Sequence, residues 1–213
     1  KYFSFKIEFT KNILIFSKKF IKITNIKSDK FTHFLRYKND SILISYRTLN
    51  KDNPKLNCRL KGFETFSPKR IILDNKLKTN TNSYLFKTAN KENTIFFYNE
   101  AIKSKILEFK KNKITVLKSN INNNKRFNPS IILKKLYTLG CRNVLVEGGD
   151  ELTKNFVSNK IFNQFFLFKG SKDLSKSFEF KEFSGLKILK KNYKKRLKIH
   201  SNFGKDTITL YKN

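Results

Sequence analysis

The sequence contains no methionine and no tryptophan, and it begins at Lys1. Without a methionine it carries no translation start of its own, so we expect it to be a piece of a longer polypeptide or a processed form of one. Proline- and serine-rich linkers are also missing. The 213 residues are long enough to bury a sizeable core, and residues 1–213 are expected to form a single domain.

Cysteine and histidine are scarce. Cys58 and Cys141 are too few for a disulfide framework, and His33 and His200 lie far apart, so no metal site is expected. His33 is expected on the exposed or boundary face of a helix. Charges interrupt every early apolar run, which argues against a membrane span or a signal peptide. These absences favour a reducing, cytoplasmic setting.

Acidic residues are few, because 16 Asp and Glu stand against 47 Lys and Arg, and the formal net charge is +31. Such a balance normally suggests a nucleic-acid partner. Here the excess is spread along the chain with abundant Asn, Ile and Phe, all residues of A/T-rich codons, so a genomic base bias explains it and no nucleic-acid partner is expected. Residues 187–198 alternate Lys with Leu and Ile and are predicted to form a solvated edge strand. A basic cleft would still suit a small polyanion.

Strand and helix patterns alternate along the chain. The best-marked helix has Asn128 as N-cap, Pro129 at its first position and Gly140 just past its end. The predicted strands are 2–9, a hairpin over 13–23, 41–45, 69–73, 93–98, 113–117, 142–147, 161–168, and a final pair within 186–200 and 206–211; the predicted helices are 26–38, 100–110, 129–139 and 150–158. This order predicts a three-layer α/β fold with a mixed, mostly parallel central sheet flanked by helices.

A polar segment, residues 46–59, follows the predicted strand 41–45 and is interpreted as a loop. It is long for a connection, and long ordered loops after buried strands often carry function. Within it, Asp52-Asn53-Pro54 predicts a turn, because proline fixes its own φ and pushes Asn53 towards extended backbone.

The stretch at 142–156, RNVLVEGGDELTKNF, carries the clearest chemical signal. An apolar strand ends at Glu147, the pair Gly148-Gly149 follows, and a helix can begin at Asp150. Glycines let backbone N–H groups approach a ligand that a Cβ would exclude, and a helix N-terminus offers unpaired N–H groups to a phosphate. The turn is therefore a candidate nucleotide site, although an ordinary glycine turn has the same local pattern.

Together these motifs resemble the reductase domain of the bacterial riboflavin biosynthesis protein RibD. The family pattern has WITS, an LR pair after a helix, AIL, T-x-x-x-D-[DN]-P-x-L-x-x-R, and VEGG much later. The matching positions here are Lys22-Ile23-Thr24-Asn25, Leu35-Arg36, Ser41-Ile42-Leu43, Thr48, Asp52-Asn53-Pro54, Leu56, Arg59 and Glu147-Gly148-Gly149. IILDN at 71–75 is similar to the family's strand ending in Asp-Ser, and Gly204-x-Asp206 to its closing strand. The match covers most of the chain and is weak over residues 76–127.

The resemblance implies a dihydrofolate-reductase-like fold and NADPH-dependent reduction of 5-amino-6-(5-phosphoribosylamino)uracil, a phosphoribosyl pyrimidine, to its ribitylamino product. The hydride goes to C1′ of the opened ribose, and no residue of the chain is assigned to that step, since the nicotinamide supplies the hydride. It implies NADPH contacts at Thr48, Asp52, Asn75, Gly149, Asp150, Glu151 and Leu152. It implies substrate contacts at Arg36, Leu56, Arg59 and Glu147, where two arginines suit a phosphate.

The resemblance also implies partners. The family commonly has an N-terminal zinc deaminase domain, which we expect in the full-length chain, and its members tend to form homodimers. The deaminase motifs, His-x-Glu and Cys-x-x-Cys, do not occur in these 213 residues.

Departures from the family pattern concentrate at the nicotinamide end. Thr10-Lys11-Asn12-Ile13 stands in place of Ser-Leu-Asp-Gly, and Lys22 in place of the Trp of WITS. Glu8 replaces a small residue on the first strand, and Asn163-Gln164-Phe165 replaces Asp-Glu-Leu. Two outcomes stay open, an active enzyme that has drifted in sequence and one with weakened cofactor binding.

Two other functions stay open as well. The first is a reductase of the same fold acting on a pterin or dihydrofolate-like substrate, which would not need Arg36 and Arg59 to hold a phosphate. The second is a non-enzymatic basic RNA-binding protein, which would bind with a steep salt dependence. The sequence has no aromatic RNA-binding signature to favour it.

Overall fold

A computed structural model describes residues 2–9, 14–16, 23–90, 93–171 and 180–212 of the chain. Its strands are β1 (Tyr2–Phe9), β2 (Leu14–Phe16), β3 (Ser41–Ser45), β4 (Lys69–Leu73), β5 (Thr94–Tyr98), β6 (Thr115–Lys118), β7 (Asn143–Glu147), β8 (Gln164–Lys169), β9 (Phe180–Glu182), β10 (Arg196–Lys198) and β11 (Thr207–Lys212). Its helices are α1 (Ile26–Lys38), α2 (Tyr46–Asp52), α3 (Tyr84–Lys87), α4 (Lys103–Lys111), α5 (Pro129–Thr138), α6 (Asp150–Ser158) and α7 (Leu186–Asn192), with a 3-10 turn at Glu64–Phe66.

The central sheet has the strand order β10-β11-β8-β1-β7-β3-β4-β5-β6, and β2 pairs with β9 in a small separate sheet. The strands from β8 to β6 run parallel, and β11 and β10 add antiparallel pairings at one edge. The chain passes from β3 through β4 and β5 to β6 in one direction. It then returns to β7, on the other side of β3, and goes on to β8 beyond β1. Ligand crevices open at the carboxyl ends of strands where the order reverses in this way.

The sheet buries apolar side chains on both faces. Along β3, Leu43 belongs to one core cluster, while Ile42 and Ile44 belong to the other, because successive strand residues point to opposite sides. All three are fully buried. The predicted three-layer α/β fold with a mixed, mostly parallel sheet is therefore confirmed.

Helix α5 begins and ends where its capping residues predicted. Asn128 Oδ1 accepts from the N–H groups of Ser130 (2.9 Å) and Ile131 (3.4 Å), Pro129 opens the helix, and Gly140 follows its end with φ of +85°. Helix α1 is capped in the same manner by Asn25, which accepts from the N–H groups of Lys27 and Ser28.

The interpretation of residues 46–59 as a loop is wrong for its first half. Residues 46–52 form helix α2, capped by Ser45, whose hydroxyl accepts from the Thr48 N–H at 3.3 Å. The expected extended conformation of Asn53 is also wrong, because it ends α2 in the left-handed region with φ of +42°. Asparagine adopts this region more readily than other L-residues. The short helix and its left-handed end turn the chain back over the sheet.

The predicted edge strand at 187–198 is wrong over most of its length. Residues 186–192 form helix α7, which buries Leu186 and Leu189, three positions apart. The exposed strand β10 is confined to Arg196–Lys198, at the sheet edge. The predicted antiparallel finish of the sheet is confirmed by the β10–β11 and β11–β8 pairs.

Two further expectations differ from the structure. His33 is buried, with 5% of its surface exposed, and does not lie on an exposed face of α1. Of the predicted hairpin at 13–23, residues 14–16 pair with β9 instead, and 13 and 17–22 lie outside the described residues. Across the described ranges, no helix has the length and apolar character needed to cross a membrane.

Candidate functional site

A cavity of about 610 Å³ opens at the carboxyl ends of β1, β7 and β3, at the reversal of the strand order. Helices α1 and α2 and the segment after α2 form its outer wall. The expected site residues that line it are Arg36, Thr48, Asp52, Leu56, Arg59, Glu147, Gly149, Asp150, Glu151 and Leu152. Asn75 lies instead on a second cavity that adjoins the first. The fold thus brings together in the first cavity residues from three separate parts of the sequence, namely 36, 48–59 and 147–152.

The two glycines of the turn have different structural requirements. A Cβ on Gly148 would lie 2.9 Å from Leu152 Cδ2, so the close approach of α6 requires this glycine. Within the part of the chain that the structure describes, a Cβ on Gly149 would meet no heavy atom within 4 Å, and Gly149 has extended backbone at the start of α6. Packing therefore does not explain why Gly149 lacks a side chain. Its open backbone, beside the first N–H groups of α6, fits a phosphate of a bound cofactor.

Arg36 and Glu147 form a bidentate ion pair inside the cavity. Arg36 Nε and Nη2 donate to the two carboxylate oxygens of Glu147, each at 2.9 Å, and Nη1 donates to the carbonyl of Asn57 at 3.2 Å. Burial raises the pKa of Glu147, but the charges of Arg36 and Lys6 outweigh it and bring the pKa to about 2. Glu147 is therefore ionised at neutral pH, and Arg36 is held by it.

A second ion pair comes from β1. Lys6 Nζ lies 2.6 Å from Glu8 Oε1 and 5.1 Å from the ring centre of Phe168. Lys6 is buried and pairs in register with Glu147 on β7. Sequence reasoning missed Lys6. The available signal was the alternation of β1, which places a lysine and a glutamate on the same face of a central strand.

On the α2 side, the cavity is lined by the side chains of Thr48 and Asp52 and by the left-handed backbone at Leu56. Thr48 Oγ1 lies 3.2 Å from the capping Ser45 hydroxyl, and burial raises the pKa of Asp52. Leu56 has φ of +54° and is 2% exposed. A buried leucine in the left-handed region is a strained conformation that its surroundings must hold in place.

Arg59 owes its position to His33, whose role sequence reasoning also missed. The Arg59 N–H donates to His33 Nδ1 at 3.2 Å, and Arg59 Nη1 donates to Asn57 Oδ1 at 3.0 Å. Burial and the nearby Arg36 and Arg59 charges lower the pKa of His33 to about 4. The ring is therefore neutral at pH 7, as acceptance at Nδ1 requires.

The Gly204-x-Asp206 motif has a structural explanation. Asp206 is buried and accepts from the Asn25 N–H (2.7 Å), the Ser28 hydroxyl (2.8 Å) and the Ser171 N–H (3.1 Å). These bonds tie the first turn of α1 to the segment after β8. They position the helix that carries Arg36.

The residues present fit a nicotinamide dinucleotide. The backbone at Gly149 is open, and Asn75 Oδ1 is buried with no hydrogen-bond partner among the described residues, which leaves one acceptor for a ligand. Of the departures from the family pattern, Glu8 pairs with Lys6, and 10–13 and Lys22 lie outside the described residues.

Comparison with known proteins gives a consistent result. The profile of the family described as RibD C-terminal domain matches residues 17–208. Riboflavin biosynthesis protein RibD of Aquifex aeolicus is 28% identical over 190 residues, which are 89% of this chain and 51% of that protein. A Debaryomyces hansenii protein named 2,5-diamino-6-ribosylamino-4(3H)-pyrimidinone 5′-phosphate reductase is 30% identical over 169 residues, which are 73% of this chain and 68% of that protein.

A solved structure of the riboflavin biosynthesis reductase Rib7 of Saccharomyces cerevisiae matches with a TM-score of 0.76 at 21% identity, over 99% of this chain and 89% of that chain. This likeness confirms the fold that the resemblance implied. The chain spans about half the length of the Aquifex RibD protein and most of the length of the yeast reductase.

Proposed function

The chain belongs to the RibD C-terminal domain family, and on this premise we propose that it reduces 5-amino-6-(5-phosphoribosylamino)uracil to the ribitylamino product with NADPH, a step of riboflavin biosynthesis. The observation that carries the proposal is the cavity at the switch point of the sheet. It gathers every expected site residue except Asn75 around a glycine turn whose backbone is open. Asn75 faces the adjoining cavity.

The part of the cavity beside the Gly148-Gly149 turn is assigned to the cofactor. NADPH supplies a hydride when bound. The Gly149 backbone and the N-terminus of α6 would hold its phosphates, and Asn75 Oδ1 would accept a hydrogen bond from it. Asp52 and Thr48, at the other wall, offer acceptors to hydroxyl or amide groups of the cofactor.

The substrate side is assigned from the two arginines, which have different roles. Arg36 is committed to Glu147 through two hydrogen bonds, so it fixes that carboxylate in the cavity. Arg59 is exposed at the rim and retains donors for the substrate phosphate. The ionised Glu147 accepts hydrogen bonds from the substrate's N–H or hydroxyl groups.

The reaction also needs a proton. Hydride adds to C1′ of the opened, imine-like form, the electrons of the C=N π bond move to nitrogen, and that nitrogen takes up one proton. We assign the proton to the buried Lys6 ammonium, which lines the cavity and is held by Glu8.

The test is NADPH consumption, followed by absorbance, when the phosphoribosylamino-uracil is supplied. We expect turnover in the wild type, a large loss of kcat in Lys6→Met and a raised KM in Arg59→Ala. Arg196→Ala, on the exposed strand β10, removes the same charge outside either cavity and should retain wild-type kinetics. An unchanged KM in Arg59→Ala would exclude its phosphate role, and no turnover would exclude the substrate.

A second candidate substrate is the 2-amino analogue, 2,5-diamino-6-ribosylamino-4(3H)-pyrimidinone 5′-phosphate. The similarity to the Debaryomyces reductase, 30% over 169 residues, favours it. Both compounds carry the same ribosyl phosphate, so the same residues would hold either. The ratio of kcat/KM for the two compounds decides between them.

A further inference from the structure

A continuous chain of hydrogen bonds runs along the substrate side of the first cavity, and Asn57 is its middle member. Arg36 Nη1 donates to the Asn57 carbonyl at 3.2 Å, and Arg59 Nη1 donates to Asn57 Oδ1 at 3.0 Å. Arg36 is in turn bonded to both carboxylate oxygens of Glu147. Asn57 is not among the described residues that line either cavity, and the family pattern leaves its position unspecified. It therefore joins, through its backbone and its side chain, two arginines that the proposed function places at the substrate.

The backbone next to Asn57 is fixed by hydrogen bonds of the two residues that follow it. Cys58 is fully buried, and its N–H donates to Ser67 Oγ at 3.1 Å. The Arg59 N–H donates to His33 Nδ1 at 3.2 Å. These bonds tie the segment to helix α1 and close the loop that ends at Ser67. The Asn57 side chain therefore extends from a fixed backbone, and its Oδ1 can hold a donor in a defined place.

The Arg59 side chain is exposed at the cavity rim, and Asn57 Oδ1 is its one hydrogen-bond acceptor among the described residues. A guanidinium carries five N–H donors, and those of Nε and Nη2 lie side by side along one edge. With Nη1 engaged by Asn57, this edge stays available as a pair of donors for two phosphate oxygens. A long side chain that is already held in place loses less conformational freedom when a ligand binds. The Asn57 contact therefore prepares Arg59 for an anion.

We propose that Asn57 is a positioning residue, which holds the Arg59 guanidinium so that its Nε–Nη2 edge meets the substrate phosphate. The inference rests on the proposed function, since it takes Arg59 to bind that phosphate. Because Asn57 is also bonded to Arg36, it links the phosphate contact to Glu147, which accepts from N–H or hydroxyl groups of the substrate. The two contacts are thereby kept at a set separation, which matches the site to a phosphorylated sugar.

The test is steady-state kinetics of Asn57→Ala with two compounds, the phosphoribosylamino-uracil and its analogue without the phosphate. The variant loses Oδ1 but keeps the backbone carbonyl, so the bond from Arg36 remains. We expect KM for the phosphorylated compound to rise about threefold to tenfold, with kcat and the KM for NADPH unchanged. For the analogue without the phosphate, kcat/KM should equal that of wild type. A merely structural role of Asn57 would alter the kinetics of both compounds alike.

Two further variants test whether Asn57 acts through Arg59. The double variant of Asn57→Ala and Arg59→Ala should have the same KM as Arg59→Ala alone, because a positioning residue has no effect once the residue that it positions is gone. The control is Asn112→Ala, which removes an exposed amide that donates to the Glu108 carbonyl at 2.9 Å. Asn112 lies at the end of α4, away from the described linings of both cavities, so this variant should retain wild-type kinetics with both compounds.

An Asn57→Ala enzyme with wild-type KM for the phosphorylated compound would overturn the inference, as would effects of Asn57→Ala and Arg59→Ala that multiply in the double variant. The proposed function fails separately, by the absence of turnover in wild type. Calorimetric titration with ribose 5-phosphate then decides, at constant ionic strength because the net charge of +31 attracts any anion. Binding that weakens in both single variants keeps the inference and rejects the substrate assignment. An affinity that Asn57→Ala leaves unchanged rejects the inference.

Discussion

His33 lies under the segment that carries Arg59 and accepts its backbone N–H, so its ring must remain neutral in the folded chain. Its pKa falls from 6.5 to about 4 because of burial and the two nearby arginines. Between these values the unfolded chain binds the proton more readily. The stabilisation is therefore complete above pH 6.5 and is lost as the pH falls towards 4.

We predict that the free energy of unfolding decreases by roughly 3 kcal/mol as the pH is lowered from 6.5 to about 4, because of His33 alone. His33→Asn keeps an acceptor near the Nδ1 position but does not titrate, so its urea midpoint should depend less on pH. His200→Asn, at an exposed position, should keep the wild-type dependence. Equal pH slopes in all three proteins would rule out this role of His33.

Arg36 and Glu147 provide a second residue-scale test, because each is the other's partner in a nearly buried site, with side-chain exposures of 10% and 15%. We predict that Arg36→Met and Glu147→Gln each destabilise by about 3 kcal/mol, and that the double variant costs less than their sum. Chemical unfolding of the four proteins measures the coupling.

The control is Arg126→Met, which breaks an ion pair of similar type at the surface. It should cost less than about 1 kcal/mol. Strictly additive effects of Arg36→Met and Glu147→Gln would show that the two residues do not stabilise each other.

At the scale of elements, the site depends on how α1 is anchored at its two ends. Asp206 binds the first turn of α1 and the segment after β8, and Asp40, after the last turn, accepts from the N–H groups of Arg142 and Asn143. The Asp206 end of α1 lies beside the cavity, whereas Asp40 lies at the amino ends of β3 and β7. The two anchors can therefore be removed separately.

We predict that Asp206→Ala destabilises the chain by about 2 to 4 kcal/mol, since it leaves three donors unpaired. Because Asp29 and Thr32, near the anchored end of α1, line the cavity, substrate KM should rise as well, and amide exchange should increase over residues 25–29. Asp40→Ala should lower stability with KM unchanged. An Asp206→Ala enzyme with wild-type KM would show that the anchoring does not reach the site.

Some elements could be predicted from sequence because their signals are local. The caps of α5, the apolar runs of β3 and β7, and the glycine turn all consist of neighbouring residues. Helices α2 and α7 could not, since both are short and polar; α2 offers only Tyr46 and Leu49 as apolar positions, and in α7 Leu186 and Ile188 also fit alternation. Helix α7 in particular buries only Leu186 and Leu189, while Ile188 packs against the core with part of its surface exposed.

At the scale of the whole molecule, the candidate site is a product of topology. The strands run parallel, and the strand order reverses between β3 and β7. This brings the glycine turn, the end of β1 and helix α2 together at the carboxyl ends of the central strands. The first cavity could be anticipated because a family motif marks its residues. The second could not, since it joins Arg47, Asn75 and Arg126, which are distant in sequence and fall partly in the region of weak resemblance. Lys6 was missed because one lysine in an alternating strand does not reveal what it faces.

The central claim is that the glycine turn binds a nicotinamide cofactor, and NADPH fluorescence titration of wild type and Gly149→Ala tests it most directly. A Cβ at Gly149 meets no heavy atom of the described residues within 4 Å, so the variant should unfold like wild type. Saturable binding to wild type that weakens about tenfold or more in the variant is the expected result, because the added methyl would lie where the proposed site receives a cofactor phosphate. Equal affinity in both proteins, or no binding to wild type at millimolar NADPH, would contradict the account.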